Sequence, residues 1–436
     1  MSSPGTIAID RTNWLGQYAN ALRALLCIAP LVLISVLSKI GVPPFSTQGI
    51  GLTLPLLLLL TGVGVLFGEL QLDCTRFVWA GITLAVLGLL QLFKNDVFSS
   101  ASLALLAAIH VPFVWRLRRP LPDLAVVSNV FVGIAVLAAL FSIAQFALQG
   151  LIATRWLFPI DNFVPQAFLL QNFNQQAVLA YGSDVLRANG VFMLEPSYLS
   201  QLLALALVLE LATRQRKLIS LLLGAAIVVS YSGTGMMVLA ISLPVLIITQ
   251  RRWDILLLGV GAGLVAYVLS QVAADYLHID NFAGRATEFS YTGSSGFARF
   301  VGGFYLFEQF LWDHPLRALF GVGAGMFKEY AALAHVPVAE MPLFKMVMEF
   351  GLVGAAVYFA FLIKCLSASS LPGAVALGIG ITFLLNGLYV PFSHGIALSL
   401  LMWTAGSTLM AKNTRPGKAH QAEATRALAT TPREFA

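Results

Sequence analysis

The stretch from Arg187 to Pro196 places ionisable and polar side chains directly before a strongly apolar segment. A simple membrane anchor needs no such residues. Arg187 carries a planar guanidinium that donates paired hydrogen bonds, which suits phosphate. Pro196 is favoured in the first turn of a helix, where free N–H groups attract negative charge. Glu195 either caps that helix, pairs with Arg187 or takes part in chemistry, and the spacing alone leaves all three roles open.

The composition is that of a polytopic membrane protein. The 436 residues are 58% hydrophobic and only 11% charged, whereas a soluble chain of this length carries far more charge. Many apolar segments approach the roughly 20 residues that cross a bilayer as a helix. The alternating segments of an outer-membrane barrel are nearly absent. We therefore predict an all-α fold with twelve spans, at about 21–40, 50–68, 77–93, 97–115, 124–148, 196–213, 218–231, 235–250, 254–274, 341–363, 371–390 and 394–411.

The distribution of basic residues orients the chain. Short loops rich in Lys and Arg tend to stay in the cytoplasm. With both termini inside, the cytoplasmic side receives 17 of the 26 basic residues, and inverting the chain reverses the bias. This bias explains the net charge of +6 more simply than nucleic-acid binding does. We predict a single integral membrane domain over 1–411 and a disordered cytoplasmic tail over 412–436.

Two long loops fall on the outer face, at about 150–195 and 275–340. Loops this long are usually functional or linker segments, and the aromatic and aliphatic residues within them disfavour disorder. In the second loop, apolar residues recur at helical spacing from Phe297 to Leu311. This pattern predicts an amphipathic helix at the membrane surface or one packed over the bundle. The outer loops also hold the basic residues Arg155, Arg187, Arg285, Arg299, Arg317 and Lys328; Arg155 and Arg317, taken singly, favour ordinary solvated charges.

Other polar features are weaker candidates for chemistry. The sequence "FGVGAGMF" at 320–327 lacks the spacing and the preceding strand of a nucleotide loop. No histidines have metal-ligand spacing, so we predict no metal and no cofactor. His110 and Asn386 lie within apolar spans, where such groups either serve function or link helices. The "YSGTG" sequence at 231–235 predicts a tight turn between two short helices.

Four motifs occur in a fixed order along the chain: "RANGVFMLEPSYLSQLLAL", the "YSGTG" turn, "GFARFVGGFYLFEQFLWDHPLRALFGVGAGMF" and "MPLFKMVMEFGLVG". Together they resemble the Wzy-type polysaccharide polymerases and O-antigen ligases of bacterial envelopes, over roughly 180–360. The "EPSYL" form is most similar to the exopolysaccharide polymerases of the xanthan-type branch. The first spans match that family only in hydrophobicity.

The resemblance implies a GT-C-like, metal-independent glycosyltransferase acting on the periplasmic side of the bacterial inner membrane. Its donor is then a glycan on undecaprenyl pyrophosphate, and a polymerase acceptor is another lipid-linked repeat unit. The expected partners are membrane lipids and the flippase and the chain-length or export proteins of the same pathway, and not nucleic acid. Arginines can stabilise charge developing on the pyrophosphate, and the attacking sugar hydroxyl needs a proton acceptor.

The family's motifs suggest roles for individual residues. Arg187 matches the arginine before the sixth span, and Arg299 matches the arginine that opens the loop helix. These two residues, with Arg285, are expected to bind pyrophosphate. Glu195 is expected either to orient Arg187 or to accept the sugar proton. The helix end and Arg187 both favour its ionised, weakly basic form, which supports the orienting role and leaves Glu340 as the better candidate for the base.

Two departures from the family's pattern affect the function. Ligases carry a histidine where this chain has Glu340. The expected proton acceptor is therefore Glu340 or Glu195, with His335 as a nearby candidate. The absence of that histidine also favours a polymerase over a ligase. Gly233 follows Ser232 where many relatives have arginine, so one charge contact is absent. The alternatives are an O-antigen ligase that transfers glycan to lipid A core or protein, and a lipid-linked oligosaccharide flippase or transporter. A transporter favours charges within spans, whereas charge here clusters in the outer loops.

Overall fold

The computed structural model describes residues 11–43, 45–92, 98–179, 184–272, 290–367 and 369–407. The described chain is mostly helical. Its α-helices are α1 (Arg11–Val36), α2 (Thr53–Leu66), α3 (Cys74–Leu92), α4 (Ser100–His110), α5 (Ala125–Ala147), α6 (Thr154–Leu157), α7 (Pro159–Phe163), α8 (Pro196–Thr213), α9 (Lys217–Val229), α10 (Gly233–Gln250), α11 (Trp253–Val272), α12 (Ser295–Phe300), α13 (Gly302–Phe307), α14 (Pro315–Phe320), α15 (Phe327–Leu333), α16 (Pro342–Ser367), α17 (Gly373–Leu385) and α18 (Phe392–Ala397). Short 3₁₀ turns lie at Phe45–Gln48, Val111–Val114 and Gln166–Phe168, and π turns lie at Glu308–Trp312 and Leu398–Met402.

Each of the twelve predicted spans overlaps a helix of the structure. By length and composition, α1, α3, α5, α8, α10 and α16 are long and apolar enough to cross a membrane. Two other apolar helices, α9 and α17, have 13 residues each, which is shorter than the roughly 20 residues of a full crossing. These are the features of a helical membrane protein. The number of crossings stays a prediction, and the predicted tail at 412–436 lies outside the described residues.

Two three-residue strands depart from the predicted all-α fold. β1 (Leu70–Leu72) and β2 (Trp115–Leu117) pair in antiparallel fashion, with Leu70 opposite Leu117. Each strand lies in a connection between helices, where the backbone has left one helix and has not begun the next. Pairing the two connections satisfies N–H and C=O groups that no helix satisfies.

Helix α8 lies at the centre of the helical bundle. Every residue from Pro196 to Leu211 is buried, and α8 contacts α5, α9, α10 and α17. A helix buried on all sides needs partners for its polar side chains inside the protein. Gln201 of α8 exchanges hydrogen bonds of 3.0 and 2.9 Å with the Asn386 side chain, which follows α17. Asn386 therefore links helices, one of the two roles that its sequence position left open.

His110 links helices in the same way. Its Nδ1 donates to the carbonyl oxygen of Leu106 at 2.8 Å, since a carbonyl can only accept. The other ring nitrogen, Nε2, then accepts from the hydroxyl of Tyr358 at 3.2 Å. This contact joins the end of α4 to the middle of α16, and it accounts for a histidine within an apolar span.

Buried polar groups fix the first long loop to the bundle. Lys39 follows α1, and its ammonium lies 2.7 Å from the carboxylate of Asp161 in α7, with both side chains buried. Asn189 is also buried, and it exchanges hydrogen bonds of 3.1 Å with the Gln145 side chain of α5. Asn189, in the polar stretch before α8, therefore holds the loop in place.

The helix predicted in the second long loop is broken into α12, α13 and a π turn. A Cβ added at Gly303 would overlap the ring of Phe344, so this part of the loop presses against the start of α16. The rings of Phe304 and Phe307 lie 5.2 and 5.5 Å from that of Phe344. Of the two arrangements that the pattern allowed, these contacts support packing over the bundle.

Helix α16 bends at Gly351, the glycine of its Glu-x-Gly motif. Gly351 has a φ of 69°, in the left-handed region that favours glycine. A Cβ there would overlap the backbone of Leu319 at the end of α14. The glycine therefore allows the second long loop to approach the α16 backbone closely.

We expect Asp161→Ala to lower the free energy of unfolding by about 3 kcal/mol, because it leaves the buried Lys39 ammonium without its carboxylate. Unfolding of the purified protein in mixed micelles of increasing denaturing detergent measures the change. Asp254→Ala is the matched control, since Asp254 pairs with Arg252 at an exposed position and its loss should leave the unfolding curve unchanged. Similar curves for the two variants would contradict the role given to the buried pair.

Candidate functional site

Glu195 lies at the entry to α8, where three donors hold its carboxylate. Oε1 accepts a hydrogen bond from the backbone N–H of Asn174 at 2.8 Å. Oε2 accepts from the hydroxyl of Ser197 at 2.9 Å and from Nη2 of Arg299 at 3.1 Å. The side chain makes no capping bond to α8. The structure therefore shows an ion pair between Glu195 and Arg299, and the expected role of Glu195 in orienting Arg187 stays a prediction.

Arg299 reaches this carboxylate from the second long loop. It lies in the last turn of α12, whose start is capped by the hydroxyl of Ser294, which accepts from the N–H of Phe297 at 3.0 Å. Phe297 is buried, so its packing and the cap together fix the helix that carries Arg299. The ion pair thus joins the loop between α11 and α16 to the start of the central helix.

Two cavities meet at the Glu195–Arg299 ion pair. The larger cavity has a volume of about 1080 Å³ and the smaller about 300 Å³. Glu195, Ser197 and Arg299 line both cavities, so the ion pair stands where they adjoin. Pockets of about 300 to 1,000 Å³ are the usual size of small-molecule sites.

The smaller cavity combines two arginines with hydroxyl groups. Arg187 and Arg299 line it, and Nη2 of Arg187 also donates to the carbonyl oxygen of Leu179 at 3.3 Å. The hydroxyl residues in its wall are Ser197, Ser232, Thr234 and Ser295. Among the residues that the structure describes, the ionisable lining of this cavity consists of two cations and the Glu195 carboxylate. Such a lining suits an anion with several oxygen acceptors.

Gly233, at the start of α10, lines the same small cavity. A Cβ added at Gly233 has no other atom within 4 Å. Its neighbour Gly235 is different, because a Cβ there would overlap the backbone of Ser200 in α8. The first turn of α10 therefore contains one glycine with free space and one glycine needed for close packing.

The larger cavity has a charged end and an apolar side. The ionisable residues at the charged end are Glu195, Arg299, Lys328, Glu340 and Lys345. On the apolar side, α4 contributes Ala101, Ala104, Leu105 and Ala108. This spacing places the four side chains on one face of the helix. The cavity therefore fits a molecule that combines a polar or charged part with an apolar chain.

Glu340 lies just before α16, at the charged end of the larger cavity. Its Oε1 lies 2.7 Å from Nζ of Lys345, and its Oε2 lies 3.9 Å from Nζ of Lys328. Lys345 is buried and also contacts Oε1 of Glu349, one turn further along α16, at 2.8 Å. Because the Glu340 side chain is 26% exposed, its carboxylate is accessible from the cavity while one oxygen is fixed.

The other predicted site residues that the structure describes do not line these cavities. His335 is exposed and lines neither cavity. Arg155 is exposed, and its guanidinium lies 5.6 Å from the ring centre of Trp156. Arg317 is half-buried in α14 and lines neither cavity. Arg285 lies outside the described residues.

The structure adds Lys345 and Tyr389 to the site, which sequence reasoning missed. Lys345 had a signal, since an ionisable residue inside an apolar span, four residues before Glu349, is a candidate functional group and a helical ion pair. Tyr389 had none. Its ring centre lies 5.0 Å from Nζ of Lys345, a contact that depends on how the end of α17 packs against α16.

We expect Gly233→Arg to unfold at the temperature of the original protein and to bind inorganic pyrophosphate about tenfold more tightly, because it adds a third cation to the small cavity. Gly235→Ala, in the same turn, is the matched control for packing and should lose about 1–3 kcal/mol of stability through overlap with α8. Thermal unfolding and titration calorimetry measure the two effects. Unchanged or weaker pyrophosphate binding by a stable Gly233→Arg protein would show that the cavity is not an anion site.

Comparisons of the chain with protein-family models and with curated proteins found no match. A functional assignment therefore depends on the chemistry of the two cavities and on the motifs that they contain.

Proposed function

We propose that this protein is a polysaccharide polymerase similar to the Wzy-type enzymes. It would join undecaprenyl-pyrophosphate-linked oligosaccharide repeat units into an exopolysaccharide or O-antigen on the periplasmic face of the bacterial inner membrane. The observation that carries the proposal is the larger cavity, in which a charged end adjoins an apolar helix face. The four ordered motifs supply the reaction class.

The donor in this proposal is an amphiphile. Its polyprenyl chain needs an apolar surface, which the alanine-rich face of α4 offers. Its pyrophosphate needs cations, and Arg299 lines both cavities while Arg187 lines the smaller one. The two requirements are met side by side, which supports a lipid-linked donor over a soluble one.

The reaction is a glycosyl transfer without a metal ion. A hydroxyl oxygen of the acceptor sugar forms a bond to the anomeric carbon of the donor glycan. The bond from that carbon to the pyrophosphate oxygen breaks, and undecaprenyl pyrophosphate leaves. Arg187 and Arg299 stabilise the charge that develops on the leaving group, and Glu195 orients Arg299. Glu340 accepts the hydroxyl proton.

The proposal includes a GT-C-like membrane domain of twelve spans with both termini in the cytoplasm. The six long apolar helices and the bias of basic residues support this topology. The loops that supply Arg187, Arg299 and Glu340 then face the periplasm, where the lipid-linked repeat units are joined.

Two rival functions share part of this site. An O-antigen ligase uses the same donor and a different acceptor, and Glu340 in place of the ligases' histidine favours the polymerase. A flippase or transporter would carry charges within its spans, and the structure does contain Lys345 and Glu349 in α16. Lys345 contacts both Glu349 and Glu340 at the end of a cavity, which favours a fixed site over a conduction path.

We expect the double variant Arg187→Ala, Arg299→Ala to make almost no polymer. Each contact to a developing anion contributes on the order of 3 kcal/mol in the transition state. Arg299→Lys should rescue poorly, since lysine lacks the planar fork. The assay uses purified protein in nanodiscs, a synthetic lipid-linked repeat unit and a gel of product lengths.

Arg155→Ala is the matched control, because Arg155 is exposed and lines neither cavity. It should give normal polymer. Normal polymer from the stably folded double variant would remove both arginines from the mechanism. If the protein transfers the glycan only to added lipid A core, it is a ligase. If the unsubstituted protein leaves the lipid-linked donor intact, a transporter is favoured.

We expect Glu340→Gln to bind the lipid-linked donor and to lose most turnover, because it keeps the size of the side chain and removes the proton acceptor. Glu195→Gln should weaken donor binding, since Arg299 loses the charge that orients it. Donor binding in nanodiscs and turnover are measured on the same preparations. Full turnover by Glu340→Gln, with an inactive Glu195→Gln that still binds donor, would instead make Glu195 the base.

A further inference from the structure

Lys345 is a buried cation placed between two carboxylates. Its Nζ lies 2.7 Å from Oε1 of Glu340 and 2.8 Å from Oε1 of Glu349. The Lys345 side chain is 3% exposed and that of Glu349 is fully buried. Contacts this short between a buried ammonium and carboxylates are charge-assisted hydrogen bonds, which hold both partners in a defined geometry.

Aromatic rings and backbone groups enclose this cluster. Nζ of Lys345 lies 5.0 Å from the ring centre of Tyr389 and 5.8 Å from that of Phe327, distances at which a cation is attracted to an aromatic ring. Oε1 of Glu349 also accepts from the backbone N–H of Phe327 at 3.3 Å. Lys345 is therefore fixed from several directions, and of its two carboxylate partners Glu340 is the one that lines the larger cavity.

The two oxygens of Glu340 consequently differ. Oε1 is occupied by the buried ammonium of Lys345. Oε2 lies 3.9 Å from Lys328, whose side chain is 65% exposed and so holds it weakly. A carboxylate fixed through one oxygen keeps a lone pair of the other in a constant direction, which a proton acceptor needs.

We infer that Lys345 is the positioning residue of Glu340, and that Oε2 of Glu340 is the atom that accepts the acceptor hydroxyl's proton. This inference rests on the proposed glycosyl transfer. Fold stability alone does not require the arrangement, because well-packed apolar residues can often replace a buried ion pair without loss of stability. Glu349 holds Lys345 from the other side, so the α16 backbone sets the direction of the Glu340 carboxylate.

The test compares Lys345→Met with Lys364→Met. Both substitutions lie on α16, and Lys364 is exposed near its end. Lys345→Met should lower kcat about 100-fold, the effect of a misplaced catalytic group, with the KM for lipid-linked donor unchanged. Lys345→Arg should recover part of the loss because it keeps the charge. Lys364→Met should turn over like the original protein.

A double-variant cycle separates positioning from general stability. If Lys345 acts through Glu340, then Lys345→Met should have little further effect on turnover once Glu340→Gln is present. Additive losses would show that Lys345 acts elsewhere, and unchanged kcat in Lys345→Met would also overturn the inference. If the Lys345→Met variant does not fold, the double variant Lys345→Met, Glu349→Gln takes its place in the cycle. The double variant leaves no buried carboxylate at position 349 without its cation. If the unsubstituted protein does not join repeat units, the proposed function itself is wrong. That result is distinct from the outcomes for the Lys345 variants.

Discussion

The ion pair between Glu195 and Arg299 connects the parts of the chain on which the site depends. Asn174 belongs to the first long loop, Ser197 to the central helix and Arg299 to the second long loop, and all three donate to one carboxylate. Hydrogen bonds to an ionised carboxylate are stronger than neutral ones. Because Glu195 immediately precedes the buried central helix, its carboxylate ties both loops to the start of that helix.

Paired charges play the same role elsewhere in the bundle. The buried Lys39 pairs with the buried Asp161 of the first long loop, and the buried Glu210 near the end of α8 pairs with the exposed Arg216 just before α9. Apolar packing discriminates poorly between helices when their surroundings are also apolar. Polar and charged contacts, which are unfavourable when left unmatched, can then specify which segments meet. The candidate site is also built on paired charges. It differs from the pairs above because one of its carboxylates, Glu340, is accessible from the larger cavity.

Local sequence predicted the helices better than it predicted their interruptions. Each predicted span overlaps a helix because apolar composition and length are properties of the segment itself. The close approach of Gly303 in α13 to Phe344, and of the bend at Gly351 to Leu319, are contacts between residues far apart in the sequence. The paired strands β1 and β2 likewise depend on two connections meeting. Such contacts leave no periodic signal in a single segment.

By itself the sequence determined the apolar segments, the start of the central helix at Pro196 and the types of residue available for chemistry, since these follow from composition and local propensity. Only the tertiary structure decided that Glu195 pairs with Arg299, that Lys345 holds Glu340, and that His335 lines neither cavity. Pairing requires donor and acceptor atoms within about 3 Å of each other. Which side chains from distant segments come that close is set by the packing of the whole bundle.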